Sequence, residues 1–333
     1  MTAEGRPPLT APFRIGPVEV ANRVLLAPLA GIGNWFVRLQ ARRHGAGLAF
    51  SEMVSSFAIS HGNRRTMEEM LTIHADEHPV SIQLFGPDPG VMRRAAQVAA
   101  DAGPDLIDIN MGCPVPKVRK TGAGVALLED PDRAVALARA SIEGSGLPVT
   151  VKLRSGLQPG DRSGLELAVR LAEEAGVAGI GFHPRPAASH HSGAADYGMV
   201  RELTERVSVP VIVSGGLDTA AQARRAYELS GADAVMVARG ALGYPWVFEE
   251  LTGRRDEAPG AAEVVAELEW VLGCGERHWG AERASRNLRK FYPWYLERLG
   301  ISGPEADAFQ RADGLGEVRE MLAEAAYQPA QAG

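Results

Sequence analysis

A cysteine lies in a short segment where its position and its neighbours would allow acid–base chemistry. Asn110, Gly112, Cys113 and Pro114 directly follow the apolar, alternating run 106–109. That run predicts a short buried strand, and the glycine and proline after it require a turn. Free cysteines are often buried packing residues, but a packing cysteine is expected within the apolar run and not after it. The loop position therefore favours a chemical role for the thiol.

Composition limits the class of protein that can carry this segment. The chain has 333 residues, which fits a barrel of about 250 residues with an appendage. Two cysteines provide neither a disulfide framework nor zinc-ligand spacing, so we expect a reducing, cytoplasmic setting and no metal. No apolar run approaches the roughly 20 residues that span a bilayer. The formal net charge of −6 argues mildly against a purely electrostatic nucleic-acid binder, although a local basic stripe would override it.

Eight apolar, β-rich runs recur at fairly regular spacing and would position the polar segments. They cover 24–30, 48–53, 80–85, 106–111, 149–154, 179–183, 210–215 and 234–239. Alanine-rich amphipathic segments lie between most of them, and Asp88-Pro89 and Asp130-Pro131 are typical helix starts. Eight strand–helix repeats predict an α/β fold, a (β/α)8 TIM barrel. An open doubly wound sheet is the alternative.

The same pattern divides the chain into regions. We expect a flexible leader over 1–12, a barrel domain over 13–253 and a helical domain over 261–327, with a polar linker before the last. The tail predicts three helices, which cover 261–279, 282–299 and 305–326. The longer excursion at 55–78 predicts a loop and helix over the barrel mouth.

Polar or glycine-rich residues follow almost every predicted strand, at the end where barrel enzymes place their active sites. Each has an ordinary structural explanation when taken alone; Lys152, for example, could be solvated, and His183 could be a satisfied core residue. Their joint occurrence favours a site. The candidates for binding a cofactor are Pro28, Leu29, Ala30, Gln83, Lys152, His183, Ser214, Gly215, Gly216, Ala238 and Arg239.

The loops after the seventh and eighth strands favour a phosphate-bearing cofactor. Gly215-Gly216 and Arg239 occur where barrels commonly bind phosphate through backbone N–H groups. An isoalloxazine ring would then lie over the mouth, with Lys152 and Gln83 at its polar edge. No GxGxxG fingerprint follows the first strand, which argues against a resident dinucleotide.

The motifs together resemble the tRNA-dihydrouridine synthase family over about residues 13–300. The specific element is Asn-x-Gly-Cys-Pro at 110–114, since flavin barrels of other families share the strand ends. The other matching segments are Ala27-Pro28-Leu29-Ala30-Gly31, Ser51-Glu52-Met53, Lys117-Val118, Gly122-Ala123-Gly124, Val151-Lys152-Leu153-Arg154, His183-Pro184-Arg185 and Arg239 through Pro245-Trp246.

The resemblance implies a bound FMN, NADPH as transient reductant and a uridine in tRNA as substrate. Hydride from flavin N5 would add to C6 of the uracil, and Cys113 would donate the proton to C5, since cysteine thiols have an unperturbed pKa of about 8.5. Asn110 would hydrogen-bond the uracil edge, and the uridine would have to be flipped out of the RNA. The implied substrate-binding residues are Asn110, Lys117, Arg185, Arg286 and Lys290.

The sequence departs from the family pattern at several positions. Ser214-Gly215-Gly216 replaces the usual Asn-Gly-Asp, Ala238 replaces a glycine, and Ala187 replaces a second basic residue. Two alternatives stay open: a flavin reductase of a free pyrimidine or another enone, and a non-catalytic RNA-binding relative. The arginines of 282–299 form either a solvated face or an RNA-binding face, and the latter predicts that affinity falls steeply with salt.

Overall fold

A computed structural model describes residues 5–190 and 192–327, and within them eight parallel strands close into a barrel. Consecutive strands pair, and the last pairs with the first, Val235 lying opposite Val24. The predicted TIM barrel is confirmed, and the open sheet is excluded. The strands are β1 (Phe13–Ile15) and β2 (Val18–Val20), which form an antiparallel hairpin, and then the barrel strands β3 (Val24–Leu26), β4 (Leu48–Ser55), β5 (Val80–Phe85), β6 (Leu106–Met111), β7 (Val149–Arg154), β8 (Gly179–His183), β9 (Val211–Ser214) and β10 (Ala234–Val237).

Helices surround the barrel and begin where the sequence supplies caps. Asp88 accepts from the Val91 amide, and Asp130 accepts from the Arg133 amide, each just before a proline that suits a first helical turn. The helices are α1 (Trp35–Arg43), α2 (Ser56–Ser60), α3 (Pro89–Asp101), α4 (Pro116–Arg119), α5 (Pro131–Ser145), α6 (Ser163–Arg170), α7 (Tyr197–Arg206), α8 (Ala220–Ser230), α9 (Val247–Leu251), α10 (Ala261–Trp279), α11 (Ala281–Asn287), α12 (Tyr292–Arg298), α13 (Gly303–Arg311) and α14 (Leu315–Tyr327).

The barrel interior is layered from an apolar floor to a polar mouth. Leu106, Ile212 and Met236 belong to a buried cluster that also includes Phe13 and Ile15 of the β1–β2 hairpin. Side chains two positions apart on a strand share a face, so the residues that follow on the inner face lie nearer the mouth. On β6 these are Asp108 and Asn110, and on β9 it is Ser214.

The C-terminal helices differ from the prediction at two breaks. The single helix expected over 282–299 divides into α11 and α12, with a 3₁₀ turn at Leu288–Lys290 between them. Pro293 lacks an N–H group and lies in the first turn of α12, where a proline is tolerated. The helix expected over 305–326 divides at 312–314, before α14 begins at Leu315.

Two peripheral segments contact the barrel. Residues 5–12 of the expected leader are described, whereas 1–4 lie outside the described residues; Leu9 is buried, and the Tyr227 hydroxyl donates to the carbonyl of Pro7 (2.9 Å). In the 55–78 excursion, α2 packs against α3. The C-terminal end of the excursion is held by Glu77, which forms a buried ion pair with Arg38 of α1 (2.7 Å).

Candidate active site

A cavity of about 360 Å³ opens at the carboxyl ends of the barrel strands. Each of the eight strands contributes to its lining, either directly or through the loop that follows. The lining side chains are therefore held by a rigid frame, as in barrel enzymes generally. They include Met53, Gln83, Asn110, Cys113, Lys152, Arg154, His183, Arg185, His190, Ser214, Asp218 and Arg239.

The Cys113 loop is fixed from both sides. The Asn110 side-chain oxygen accepts hydrogen bonds from the backbone amides of Gly112 (3.2 Å) and Cys113 (2.9 Å). On the other side, Arg154 Nε donates to the Gly112 carbonyl (3.1 Å). A side chain at Gly124 would lie 2.6 Å from the Cys113 carbonyl oxygen, so close packing also limits the loop. The half-buried thiol is thus presented to the cavity from an ordered turn.

A buried polar path continues from this loop into the barrel. Asn110 Nδ2 donates to Gln83 Oε1 (2.9 Å), and Gln83 Nε2 donates to a carboxylate oxygen of Asp108 (2.6 Å). The other carboxylate oxygen accepts from the Thr150 hydroxyl (2.6 Å). Burial raises the pKa of Asp108 to about 6, although the bonds from Gln83 and Thr150 oppose the shift.

Lys152 is a cation at the same mouth. Its ammonium group lies 3.4 Å from the Ser214 hydroxyl. Burial and, less strongly, the nearby Arg154 lower the pKa of Lys152 to about 8, although Asp108 and Cys113 oppose the shift. At neutral pH the amine remains protonated and can stabilise negative charge that develops on a ligand in the cavity.

The loops after β8 and β9 form a concave surface made of backbone and arginine. Gly215 has a φ of +92°, and a Cβ there would lie 2.2 Å from Cδ2 of His183. Glycine is therefore required for both conformation and space. Arg185 is buried, its Nε donates to the Gly193 carbonyl (3.0 Å), and no described residue accepts from its Nη1. The glycine backbone and the guanidinium suit a phosphate group.

Arg239 lines the same cavity, and its Nη2 is 3.4 Å from an oxygen of Asp218. Both side chains are about half exposed, so the pair is weak and can rearrange around an anion. The Ser214-Gly215-Gly216 segment that departs from the family pattern therefore still offers backbone contacts to a phosphate. Ala187 is buried and lies outside the cavity lining.

The cavity brings together most of the residues that the sequence nominated. All eleven cofactor candidates line it, and so do Cys113, Asn110 and Arg185. Lys117, Arg286 and Lys290 do not line it. Lys117 and Arg286 are exposed, and Arg286 pairs with Glu282 (3.2 Å). Lys290 reaches from the C-terminal helices to the carbonyl of Gly31, beside the loop after β3.

Sequence reasoning did not nominate several residues at or beneath the cavity. Arg154 follows Lys152 by two positions, so strand alternation alone indicates that both face inward. The same spacing relates Asp108 to Asn110. Met53, His190 and Asp218 also line the cavity. Met53 lies at the end of the predicted strand 48–53 but is apolar and gave no chemical signal, whereas His190 and Asp218 lie in loops.

No described helix is long and apolar enough to cross a membrane. No group of three or more histidine, cysteine, aspartate or glutamate side chains in the described part of the chain could hold a metal ion.

Comparisons of the sequence with known proteins point to one family. The sequence model of the dihydrouridine synthase (Dus) family matches residues 25–328. The tRNA-dihydrouridine synthase B of Pseudomonas aeruginosa is 37% identical over 291 residues, which cover 86% of this chain and 87% of that protein. A probable tRNA-dihydrouridine synthase of Rickettsia conorii is 34% identical over 321 residues, 94% of this chain and 96% of that protein.

Solved structures resemble the chain in fold. Morphinone reductase in complex with tetrahydroNAD aligns with a TM-score of 0.54 and 18% identity, over 78% of this chain and 94% of that one. The old yellow enzyme homologue from Zymomonas mobilis aligns with a TM-score of 0.58 and 16% identity, over 78% of this chain and 96% of that one.

Proposed function

Because the chain belongs to the dihydrouridine synthase family, we propose that it reduces the C5=C6 double bond of a uridine in tRNA to 5,6-dihydrouridine. The observation that carries this proposal is the convergence of Cys113, Asn110 and Lys152 on one cavity from the adjacent strands β6 and β7. A thiol can donate a proton, an amide can hydrogen-bond a carbonyl, and a half-buried cation can stabilise the negative charge that develops when hydride adds to a conjugated carbonyl ring.

We propose FMN as the bound cofactor. The surface formed by Gly215, Gly216 and Arg185 suits its phosphate, and Arg239 lies within the same cavity. Lys152 and Gln83 would lie at the polar edge of its ring, where the lysine charge stabilises the anionic reduced form. When bound and reduced by NADPH, FMN supplies the hydride that adds to C6 of the uracil.

Cys113 then donates the proton to C5. The thiol can deliver it because Asn110 and Arg154 hold its loop at the cavity wall. Asn110 uses its oxygen for the loop and one amide hydrogen for Gln83, so its second amide hydrogen is available to a uracil carbonyl. Asn110 thus serves both the thiol loop and the base.

The tRNA has to present its uridine as an extruded base, since the cavity lies within the barrel mouth. We propose that Lys117 and Arg286, which are exposed, and Lys290, which reaches the rim of the barrel at Gly31, contact RNA phosphates. Binding should then weaken steeply with salt, with a slope of about −0.7 to −0.9 per phosphate neutralised.

Dihydrouridine mapping tests the function directly. A strain that lacks this protein should lose the modification at one or more uridines and regain it when the gene is restored. The purified protein should contain flavin and, without oxygen, should oxidise NADPH beyond one equivalent per flavin only when tRNA is present. Equal turnover of free uridine would favour a general enone reductase instead, and a protein that cannot be reconstituted with flavin would favour a non-catalytic RNA-binding relative.

Replacing the thiol tests the proton donor. In Cys113→Ala we expect reduction of tRNA by the reduced enzyme to slow by about 10²–10⁴-fold, the usual contribution of a general acid. Flavin content and flavin reduction by NADPH should stay unchanged. Cys274→Ala is the matched control, because Cys274 is buried in α10 and does not line the cavity. Equal turnover of both variants would remove Cys113 from the mechanism.

A further inference from the structure

Asp108 lies one layer beneath the cavity and takes no part in its lining. It precedes Asn110 by two positions on β6, so both side chains face the barrel interior. Its side chain is only 1% exposed, and its two oxygens accept from Gln83 of β5 and Thr150 of β7, each at 2.6 Å. Asp108 therefore cannot touch a ligand in the cavity and can act only through its neighbours.

An ionised carboxylate gives the hydrogen-bond path above it a direction. Because a carboxylate only accepts, Gln83 has to turn its NH₂ group toward Asp108 and its oxygen toward Asn110. Asn110 then has to donate to Gln83 and present its own oxygen to the amides of Gly112 and Cys113. The charge on Asp108 thus determines the orientation of two amides and, through them, holds the thiol loop.

Keeping the buried Asp108 carboxylate ionised lowers the free energy of unfolding. Burial raises the pKa of Asp108 to about 6 in the folded protein, above its ordinary value of 3.8. Between these two pH values the folded state binds more protons than the unfolded state, so this group's contribution to stability falls as pH rises through about 6. Among the described residues, Lys152 is the one charged group that acts on it, and Gln83 and Thr150 are its polar contacts. An apolar residue would serve packing alone at lower cost.

We propose that Asp108 is a positioning residue that holds the Cys113 loop in its proton-donating orientation by fixing the direction of the path through Gln83 and Asn110. The consequence for uridine reduction rests on the function proposed above, whereas the orientation of the thiol loop does not. Protonation of Asp108 or its replacement by an amide would let the path run in either direction.

The decisive variant is Asp108→Asn, which keeps the shape of the side chain but can donate as well as accept. With reduced holoenzyme and tRNA we expect kcat to fall about 10–100-fold, since small displacements of a reacting group have effects of this size. KM for tRNA should change less than about twofold, and flavin content should be normal. The wild-type rate should fall as pH drops through about 6, and the variant should lack this acid limb.

Thr150→Val is the matched control. It removes the other hydrogen bond to Asp108 but leaves the bonds between Asn110 and Gln83 and between the Cys113 amide and Asn110 intact. Because the Thr150 bond also lowers the pKa of Asp108, the variants are compared well above pH 6, where the carboxylate stays ionised. Thr150→Val should lower the melting temperature about as much as Asp108→Asn, while kcat changes less than about threefold. If both variants lose the same activity, or if Asp108→Asn loses none, Asp108 is only structural and the proposal is overturned.

Alkylation of Cys113 by iodoacetamide separates this proposal from the proposed function. In the wild-type holoenzyme, the rate at Cys113 should show an inflection near pH 6 that is absent from Asp108→Asn, while the buried Cys274 stays unreactive as a check on folding. The wild-type profile needs no variant, so a profile without the inflection overturns the proposal even if Asp108→Asn fails to fold. The inflection in an enzyme that reduces no tRNA would support the positioning role and refute the function.

Discussion

Lys152 shows how one residue's environment sets its chemistry. Burial lowers the pKa of Lys152 to about 8, although Asp108 and Cys113 favour its charged form. Lys152 is therefore protonated at neutral pH and becomes neutral in mildly alkaline solution. Flavin binding can be measured over this whole pH range. Its role as a cation at the cofactor can thus be tested by pH.

We expect the affinity of the flavin-free protein for FMN to fall as pH rises through about 8, by up to about tenfold per pH unit, because binding requires the protonated amine. Lys152→Gln should bind FMN about 10–100-fold more weakly at neutral pH, since a hydrogen bond to a charged group contributes about 1.5–3 kcal/mol. Flavin fluorescence measures both. An equally alkaline-sensitive affinity in Lys152→Gln would contradict this role.

At the scale of single residues, the sequence predicted which side chains meet in the cavity but not the hydrogen bonds between them. Position near the carboxyl end of a strand was enough to bring Cys113, Gln83 and Lys152 to one cavity. The engagement of the Asn110 oxygen by its own loop was not predictable, because it depends on the tertiary approach of Gln83. Asp108 carried no signal beyond its spacing from Asn110, since a polar residue within an apolar strand has several explanations.

At the scale of elements, the Arg38–Glu77 pair fastens the 55–78 excursion to α1. The two side chains are 1% and 0% exposed, and Arg38 also donates to the carbonyls of Gly33 (3.0 Å) and Thr72 (2.7 Å). The pair therefore joins the end of the 55–78 excursion to α1, and Arg38 also reaches the turn at Gly33 just before this helix. A buried ion pair of this kind is costly to break from one side, because the remaining charge stays buried.

Glu77→Gln should destabilise the protein by about 3–5 kcal/mol, since Arg38 would keep its charge without a carboxylate. Glu143→Gln is the control: it breaks the exposed Arg93–Glu143 pair (3.6 Å) and should cost less than about 1 kcal/mol. Urea denaturation measures both. A cost for Glu77→Gln no larger than that of the control would show that water reaches the pair.

Elements with a strong repeating pattern were predictable, and interruptions within such a pattern were not. The eight barrel strands and helix α10 occur where alternation and capping indicated them. The breaks at 288–290 and 312–314 fall within continuous helical periodicity. Pro293 in the first turn of α12 and Asp313-Gly314 before α14 are local signals of these breaks, but the apolar repeat that includes the buried Leu288 and Phe309 continues on both sides of them and predicted unbroken helices.

At the scale of the whole molecule, a buried polar cluster joins the barrel to the C-terminal helices. Glu267 of α10 accepts from Gln40 (2.9 Å) and Arg43 (3.2 Å) of α1, and its other oxygen lies 3.4 Å from His44. Gln40 also donates to the Tyr295 hydroxyl (2.8 Å). These contacts fix how the helices lie beside the cavity, and they hold Lys290 near the rim.

Glu267→Leu should loosen this junction, because three polar side chains would lose a buried acceptor. We expect trypsin to cleave the linker after the exposed Arg254 about 10–100-fold faster, in proportion to the population of the opened form. Flavin content should be unchanged, since no cavity residue is altered. Glu269→Leu changes an exposed residue of the same helix and should leave the cleavage rate as it is; acceleration in both variants would refute the role of the cluster.

The pairing of β3 with β10 also dictates an order of events during synthesis. The first barrel strand has no partner on one side until the ribosome has released the last one, so its backbone groups stay exposed to wrong pairings in the meantime. Every strand contributes to the cavity, and the pocket therefore cannot form before β10 has left the ribosome. Loading of a cofactor into this cavity therefore has to follow translation of the whole barrel.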